Sequence, residues 1–320
     1  MTKTLENRIF SIYGILPHAE LNDVYVVLAA MMFLTVLRLI FAGVNHKGKA
    51  RWPSVFTVVI DKLQLAKKDK TYKMAESFWY LSWHVTSLTC TIAAFYEEYG
   101  TPENRRWLYY FLKDRKGIWF FSESIEDVMN KTITWPYITM TPKLRLLTLV
   151  SIGFWSSCCI YIFWETRRSD MRIMRFHHIT TVSLLILDYV YSFHRIGTFV
   201  IILHDIPDVL LYTTKTLSYM QHAPEFLTAG FFVMYAMGHF FFRFVMMWKL
   251  VAYPFFGEMD TEEFYGGGLK YLWQLPGGII GPCLLVVLTI MNTYWMNLII
   301  GMMANFARGA KIEDEREKND

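Results

Sequence analysis

Residues 169–215 read SDMRIMRFHHITTVSLLILDYVYSFHRIGTFVIILHDIPDVLLYTTK. Two apolar stretches lie within and just beyond it, Ile173 to Phe193 and Ile196 to Tyr219. Each is long enough to cross a hydrocarbon core, which takes about 20 residues of helix. Both carry ionisable groups at membrane depth: His177, His178 and Asp188 in the first, His204, Asp205 and Asp208 in the second. One aspartate near a membrane helix centre costs about 2.5 to 3.5 kcal/mol, so three cost about 8 to 10 kcal/mol before any pairing. Charges that expensive to insert point to function.

The rest of the chain agrees with a membrane setting. Of 320 residues 54% are hydrophobic and 17% aromatic, more apolar surface than a soluble core of this size needs. Five further segments of spanning length stand out, approximately Val24 to Val44, Phe78 to Tyr96, Leu144 to Trp164, Phe226 to Trp248 and Ile279 to Ala304. The chain therefore reads as an all-α polytopic membrane protein with about seven transmembrane helices. The first apolar stretch is too long for a signal-peptide core, contains Arg38 and lacks a small-residue cleavage site, so it is expected to remain as an anchor. Net charge is only +4 and the cations sit in loops, which gives no support for a nucleic-acid partner. The four cysteines, Cys90, Cys158, Cys159 and Cys283, form no CxxC pair.

Charge also orients the chain. The connection after the first span holds Lys47, Lys49, Arg51, Lys62, Lys67, Lys68, Lys70 and Lys73, whereas the N-terminal tail has only Lys3 and Arg8 beside three acids. The positive-inside rule makes that connection cytosolic. The N-terminus is then lumenal, the arginines Arg167, Arg168, Arg172 and Arg175 are cytosolic, and so is the charged tail 306–320. The loop from Glu97 to Lys143, with the glycosylation sequon at Asn130, becomes lumenal.

His204 and Asp208 are four apart and share a helix face, with Asp205 about 100° away. Counting about 1.5 Å per residue from the turn puts His178 about 18 Å and Asp208 about 15 Å deep, so the two can meet, with His204 nearer the lumen. Imidazole beside carboxylate moves protons near neutral pH or serves as an acyl acceptor. Thr180 and Thr181 are weaker nucleophile candidates, because a hydroxyl in a membrane helix usually bonds its own backbone. A metal is not expected, since only His204 and Asp208 have ligand-like helical spacing. Isolated His84, and His239 beside Arg243, read as polar clamps between helices.

The double histidine with Thr181, then Tyr189, the Arg195-Ile196-Gly197 turn, the HDxxD box at His204, Asp205 and Asp208, and Lys215 resemble the Lag1 motif of ceramide synthases, within the TRAM-LAG-CLN8 domain. Ser192 and Tyr212 stand where that family usually has Asn and Glu, which bears on the shape of the site and on substrate choice. The resemblance implies transfer of a fatty acyl group from acyl-CoA to the amine of a sphingoid long-chain base, without cofactor, in the endoplasmic reticulum membrane. It implies six helices bundled around an apolar substrate tunnel, within a TLC catalytic domain over residues 70–305 that follows an N-terminal unit over residues 1–69. It further implies catalysis by His177, His178, Asp208, Asp205 and His204, and substrate binding by Arg167, Arg168, Arg172, Tyr189, Arg195 and Lys215. The connection 45–77 is too short for the homeobox-like domain of many animal relatives, so the homeobox-free branch is the nearer likeness. A homodimer or an accessory membrane subunit is left open. The rival readings are a non-catalytic lipid-binding or chaperone-like TLC protein, expected to lose part of the motif, and a proton-coupled transporter. A cysteine-accessibility map should place residues 47–73 on the cytosolic side; a lumenal result would invert the orientation.

Overall fold

The computed structural model describes residues 20–46, 49–50, 52–99, 140–166, 168–191, 193–252 and 279–310. Arg167, Ser192, Asn130 and the tail from Lys311 lie outside these. In chain order the elements are α1 (Leu21–Phe41), a short antiparallel pair β1 (Asn45–His46) and β2 (Lys49–Ala50), α2 (Val55–Lys62), α3 (Thr71–Tyr99), α4 (Pro142–Tyr161), α5 (Met171–Val190), α6 (His194–Tyr219), α7 (Glu225–Phe240) and α8 (Ile280–Ala307). After α7 the chain continues in π-helical form over Phe241–Met246 and Trp248–Ala252.

Local sequence explains where helices begin. Ser54 caps α2 through a reciprocal capping box with Thr57. Thr141 caps α4 by accepting from the Leu144 amide at 3.4 Å, and Pro142 stands in the first turn, where its missing N–H costs nothing. Between α5 and α6 the Phe193 amide donates to the Asp188 carbonyl at 2.9 Å.

Six helices close a ring in the order α3, α4, α5, α8, α7, α6 and back to α3. Polarity is distributed inside out relative to a soluble protein. Phe226 is 73% and Ile290 64% exposed on the outside, whereas Asp205 (3%), His178 (4%) and Lys215 (6%) are buried inside. That is the arrangement a bilayer selects, since lipid solvates apolar surface and charges must pair within the bundle. Five of the described helices are long and apolar enough to cross a membrane: α1, α4, α6, α7 with its π extension, and α8. The other two expected spans, α3 and α5, are full-length helices of the ring but fall short of that apolarity, α3 with Glu76 and His84, α5 with Arg172, Arg175, His177, His178 and Asp188.

Helix α1 stands outside the ring along α4. Near its start Asp23 accepts from Arg145 of α4 at 2.9 Å and from the Tyr189 hydroxyl of α5 at 2.6 Å. Near its end buried Arg38 donates to the Gly43 carbonyl at 2.9 Å and to the Tyr72 hydroxyl at 3.3 Å. Between these polar ends the crossing depends on Gly153: a Cβ there would lie 2.8 Å from Ala30 Cβ and 3.0 Å from the Val27 carbonyl. On the Arg38 side, the segment before α3 is stitched to the α6–α7 turn by Lys67 Nζ to Ser218 O at 2.7 Å and Gln221 N to Leu65 O at 2.7 Å.

The added atom at Gly153 meets the Ala30 Cβ and backbone atoms of α1, none of which can swing aside, so Gly153→Val should cost about 1–3 kcal/mol through overpacking. Thermal unfolding in detergent should show a lowered Tm for this variant; an unchanged Tm would mean that α1 contributes little to the fold.

Candidate active site

Crossed charges join α3, α6 and α7 at the centre of the ring. His84 of α3 donates from Nδ1 to Asp205 Oδ1 at 2.8 Å, and its Nε2 lies 4.0 Å from Asp208 Oδ2. Asp208 Oδ1 accepts from Arg243 Nη2 at 2.6 Å. The same guanidinium reaches Asn292 Oδ1 of α8 at 3.2 Å and the His204 carbonyl at 3.3 Å. Charge-assisted bonds of this length are among the strongest a side chain makes, and each neutralises a group that would otherwise stand unpaired in low dielectric.

Two backbone irregularities shape this centre. Pro207 stands inside α6, between the two aspartates, and its missing N–H breaks the helical ladder at that turn. Arg243 lies in the π-helical stretch, a form that often marks functional positions.

His177 and His178 project from α5 with ring centroids 5.8 Å apart. Trp155 of α4 lies against both, at 6.0 and 5.6 Å, and Trp295 of α8 meets His177 edge to face at 5.1 Å. Trp295 is itself fixed by donating to Asp170 Oδ2 at 3.0 Å. The Nδ1 atoms of both histidines are buried without a hydrogen-bond partner. His204 donates from Nδ1 to the Val200 carbonyl at 2.8 Å, which leaves an acceptor lone pair on its buried, unpartnered Nε2. Thr181 donates to the His177 carbonyl at 2.9 Å, the backbone bond expected of a membrane-helix hydroxyl.

Two cavities adjoin along Trp155, His177 and Asp208, which line both. One, about 1000 Å³ with its mouth, is apolar and runs between α5, α6 and α8, walled by Leu184, Ile196, Val200, Leu285 and Leu288. The other, about 640 Å³, is polar and adds His84, His178, Tyr212, His239, Arg243, Glu165 and Arg168. Glu165 and Arg168 belong to the α4–α5 connection. Arg168 donates to Glu76 Oε1 at 2.6 Å, and the Tyr80 hydroxyl donates to Glu165. Burial, reinforced by neighbouring Glu76, raises the Glu165 carboxyl from its usual 4.5 to about 7.

Of the residues singled out from sequence, His177, His178 and Asp208 line the polar cavity, and His204, Asp205 and Asp208 the apolar one along with His177. Asp208 bonds Arg243; among the described residues it makes no hydrogen bond to His177 or His178. Arg168 lines the polar cavity, while Arg172 is exposed and lines neither cavity. Tyr189, Arg195 and Lys215 line neither cavity. Tyr189 clamps Asp23, and Lys215 lies 5.9 Å over the Tyr212 ring. His84 is indeed a clamp between helices, but its partners are the two aspartates of the site. Trp155 and Trp295 are not singled out by the sequence, and Arg243 reads there only as part of a clamp with His239; the signal for a larger role was a cation at membrane depth. No three His, Cys, Asp or Glu side chains converge to hold a metal among the described residues.

The TLC-domain family model matches residues 73–301. The chain is 29% identical over 266 residues to Ceramide synthase 1 LOH3 of Arabidopsis thaliana, covering 79% of this chain and 76% of that protein. It is 28% identical over 274 residues to Ceramide synthase LOH1 of the same plant, covering 81% and 78%. To Ceramide synthase 4 of Homo sapiens it is 26% identical over 181 residues, covering 57% and 43%.

The raised Glu165 carboxyl generates a pH dependence. Folding favours its neutral form, so its contribution is fully present below 4.5 and is lost as pH rises through about 7. The stability of the natural protein relative to Glu165→Gln should therefore fall across that window, by about 3 kcal/mol at most, and level off above it. Thermal unfolding of both proteins over pH 4 to 8 tests this; parallel curves would contradict it.

Proposed function

This chain belongs to the TLC-domain family, and from that premise we propose that it is a ceramide synthase, moving a fatty acyl group from acyl-CoA to the amine of a sphingoid long-chain base in the endoplasmic reticulum membrane. The observation that carries the reading is the meeting of an apolar and a polar cavity at His177. An acyl thioester is itself a molecule of two halves, a chain that belongs in the apolar cavity and a charged carrier that belongs in the polar one. Its reactive carbonyl then falls where the two adjoin, beside the imidazoles.

The chemistry asked of the site is modest. The amine attacks the thioester carbonyl, its N–C bond forms as the C–S bond breaks, the amine gives up a proton and the CoA sulfur leaves as thiolate or thiol. His177 and His178, whose Nδ1 atoms have no protein partner, are suited to receive that proton. Either can alternatively take the acyl group first as an acyl-imidazole and pass it to the amine. Arg243, held by Asp208 and facing the polar cavity, offers positive charge to the carbonyl oxygen as it becomes an oxyanion. Asp205 orients His84, and Asp208 orients Arg243.

In the proposed orientation the α4–α5 connection is cytosolic, so the polar cavity faces the compartment that supplies acyl-CoA. Exposed Arg172, in the first turn of α5 just after that connection, carries the charge that phosphate recognition requires.

Purified protein given acyl-CoA should release CoA only when a long-chain base is present, and the product should be the amide. His177→Ala and His178→Ala should each lower turnover by about a hundredfold or more while inserting normally. Turnover close to that of the natural protein in both variants would overturn the catalytic assignment, and base-independent CoA release would overturn the reaction.

A further inference from the structure

Among the buried carboxyls that the mechanism does not use, one faces the apolar cavity. Asp188 lines the apolar cavity at the end opposite the reacting centre, is only 9% exposed, and its Oδ1 is buried without a hydrogen-bond partner. Its neighbours along the cavity wall are Leu184, Leu187, Tyr191, Phe193 and Ile196. Gly197 of α6 makes the room: a Cβ at that position would collide with the Asp188 carboxylate.

Two helices give the same distance between the ends of the cavity. On α5, Asp188 is 11 residues beyond His177 (188 − 177), and on α6, Gly197 is 11 residues before Asp208 (208 − 197). At about 1.5 Å per residue both give about 16 Å along the helix axes. With carbon–carbon bonds of about 1.5 Å in a zigzag, that is roughly a dozen methylenes of extended chain.

We propose that Asp188 is the receptor for a hydroxyl carried far along the hydrocarbon chain of the bound acyl substrate, roughly a dozen carbons from the thioester. The Gly197 backbone bonds this carboxyl from one side; a chain of methylenes can only bury its remaining oxygen, Oδ1, without a partner, whereas a hydroxyl satisfies it whichever protonation state the group holds, donating to the carboxylate or accepting from the acid. Selectivity arises from that asymmetry: a site built around a polar group discriminates strongly against the analogue that cannot pair with it. A hydroxyl next to the thioester carbonyl is too close to His177 to reach Asp188. The inference rests on the acyl-transfer reading for which chain fills the cavity.

The test is binding to protein reconstituted in nanodiscs, by competition against a fluorescent fatty acyl-CoA. The competitors are tetradecanoyl-CoA, 14-hydroxytetradecanoyl-CoA and 3-hydroxytetradecanoyl-CoA. The terminal hydroxyl should tighten binding about tenfold relative to the plain chain, and the 3-hydroxyl should not. Asp188→Leu should erase the preference, and Asp188→Asn, which can still pair with a hydroxyl, should keep at least part of it. Equal affinities in the natural protein, or a preference that survives in Asp188→Leu, would overturn the proposal; if the leucine variant does not fold, the natural protein and Asp188→Asn decide it, equal affinity of the three competitors for the natural protein, or a complete loss of the preference in Asp188→Asn, being negative. Amide formation measured on the same preparations keeps the two readings apart. Transfer without the preference rejects the hydroxyl receptor alone, and the preference without transfer rejects the transferase alone.

Discussion

Everything at the centre of this bundle depends on the pairing of two aspartates one turn apart on α6 with cations from helices on either side. Asp205 is held by His84 of α3 and Asp208 by Arg243 beyond α7. Inside a bilayer each carboxylate alone would carry a penalty of several kcal/mol, so the helices that bring the counter-charges are committed to those positions. Arg243 extends the commitment to α8 through Asn292, which makes one guanidinium the meeting point of three ring helices. Breaking one of these bonds leaves a buried charge without its partner, which costs far more than the bond itself contributes.

The apolar exterior and the cavities answer the same constraint from opposite sides. Lipid accepts Phe226 and Ile290 on the outer surface, so the ring has no need to bury them, and its interior can be given to polar groups and open space. Aromatic rings then border the paired histidines. Trp155 and Trp295 restrict His177 to a narrow range of positions, and Trp295 transmits the placement of Asp170, in the connection before α5, to the imidazole. For the role proposed for His177, such positioning would spare a general base from reorganising first.

Much of the architecture could be read from the amino-acid sequence, because stretches of about 20 apolar residues have few alternatives. The concentration of histidine and aspartate in two adjacent stretches located the centre for the same reason: charge at membrane depth is rare. What could not be read were the partners. His84 lies 121 residues from Asp205, and no pattern in either stretch announces the pairing. Nor did spacing reveal that Asp208 would turn to Arg243 while the paired histidines packed against tryptophans. Helices α3 and α5 are less apolar than a hydropathy criterion asks because they supply the interior charges. Tyr189 shows the converse limit, since a residue carried by a family motif serves here to clamp α5 to Asp23 of α1.

The π-helical stretch from Phe241 to Met246 has a consequence for how this chain tolerates change. A π-turn holds more residues than an α-turn, so the segment is in effect an α-helix with surplus length, and a single-residue deletion there would let it relax to the commoner form. Because the surplus residue is absorbed within the segment, such a deletion would leave the helix beyond it nearly in its original register and turn only the residues inside it relative to α7. Arg243 is one of those residues, so a deletion just before it would turn its guanidinium away from Asp208 with composition and hydropathy almost untouched. Reading frame is usually discussed for codons; here a frame shift confined to one turn of helix would leave the bundle standing with its central charge uncoupled.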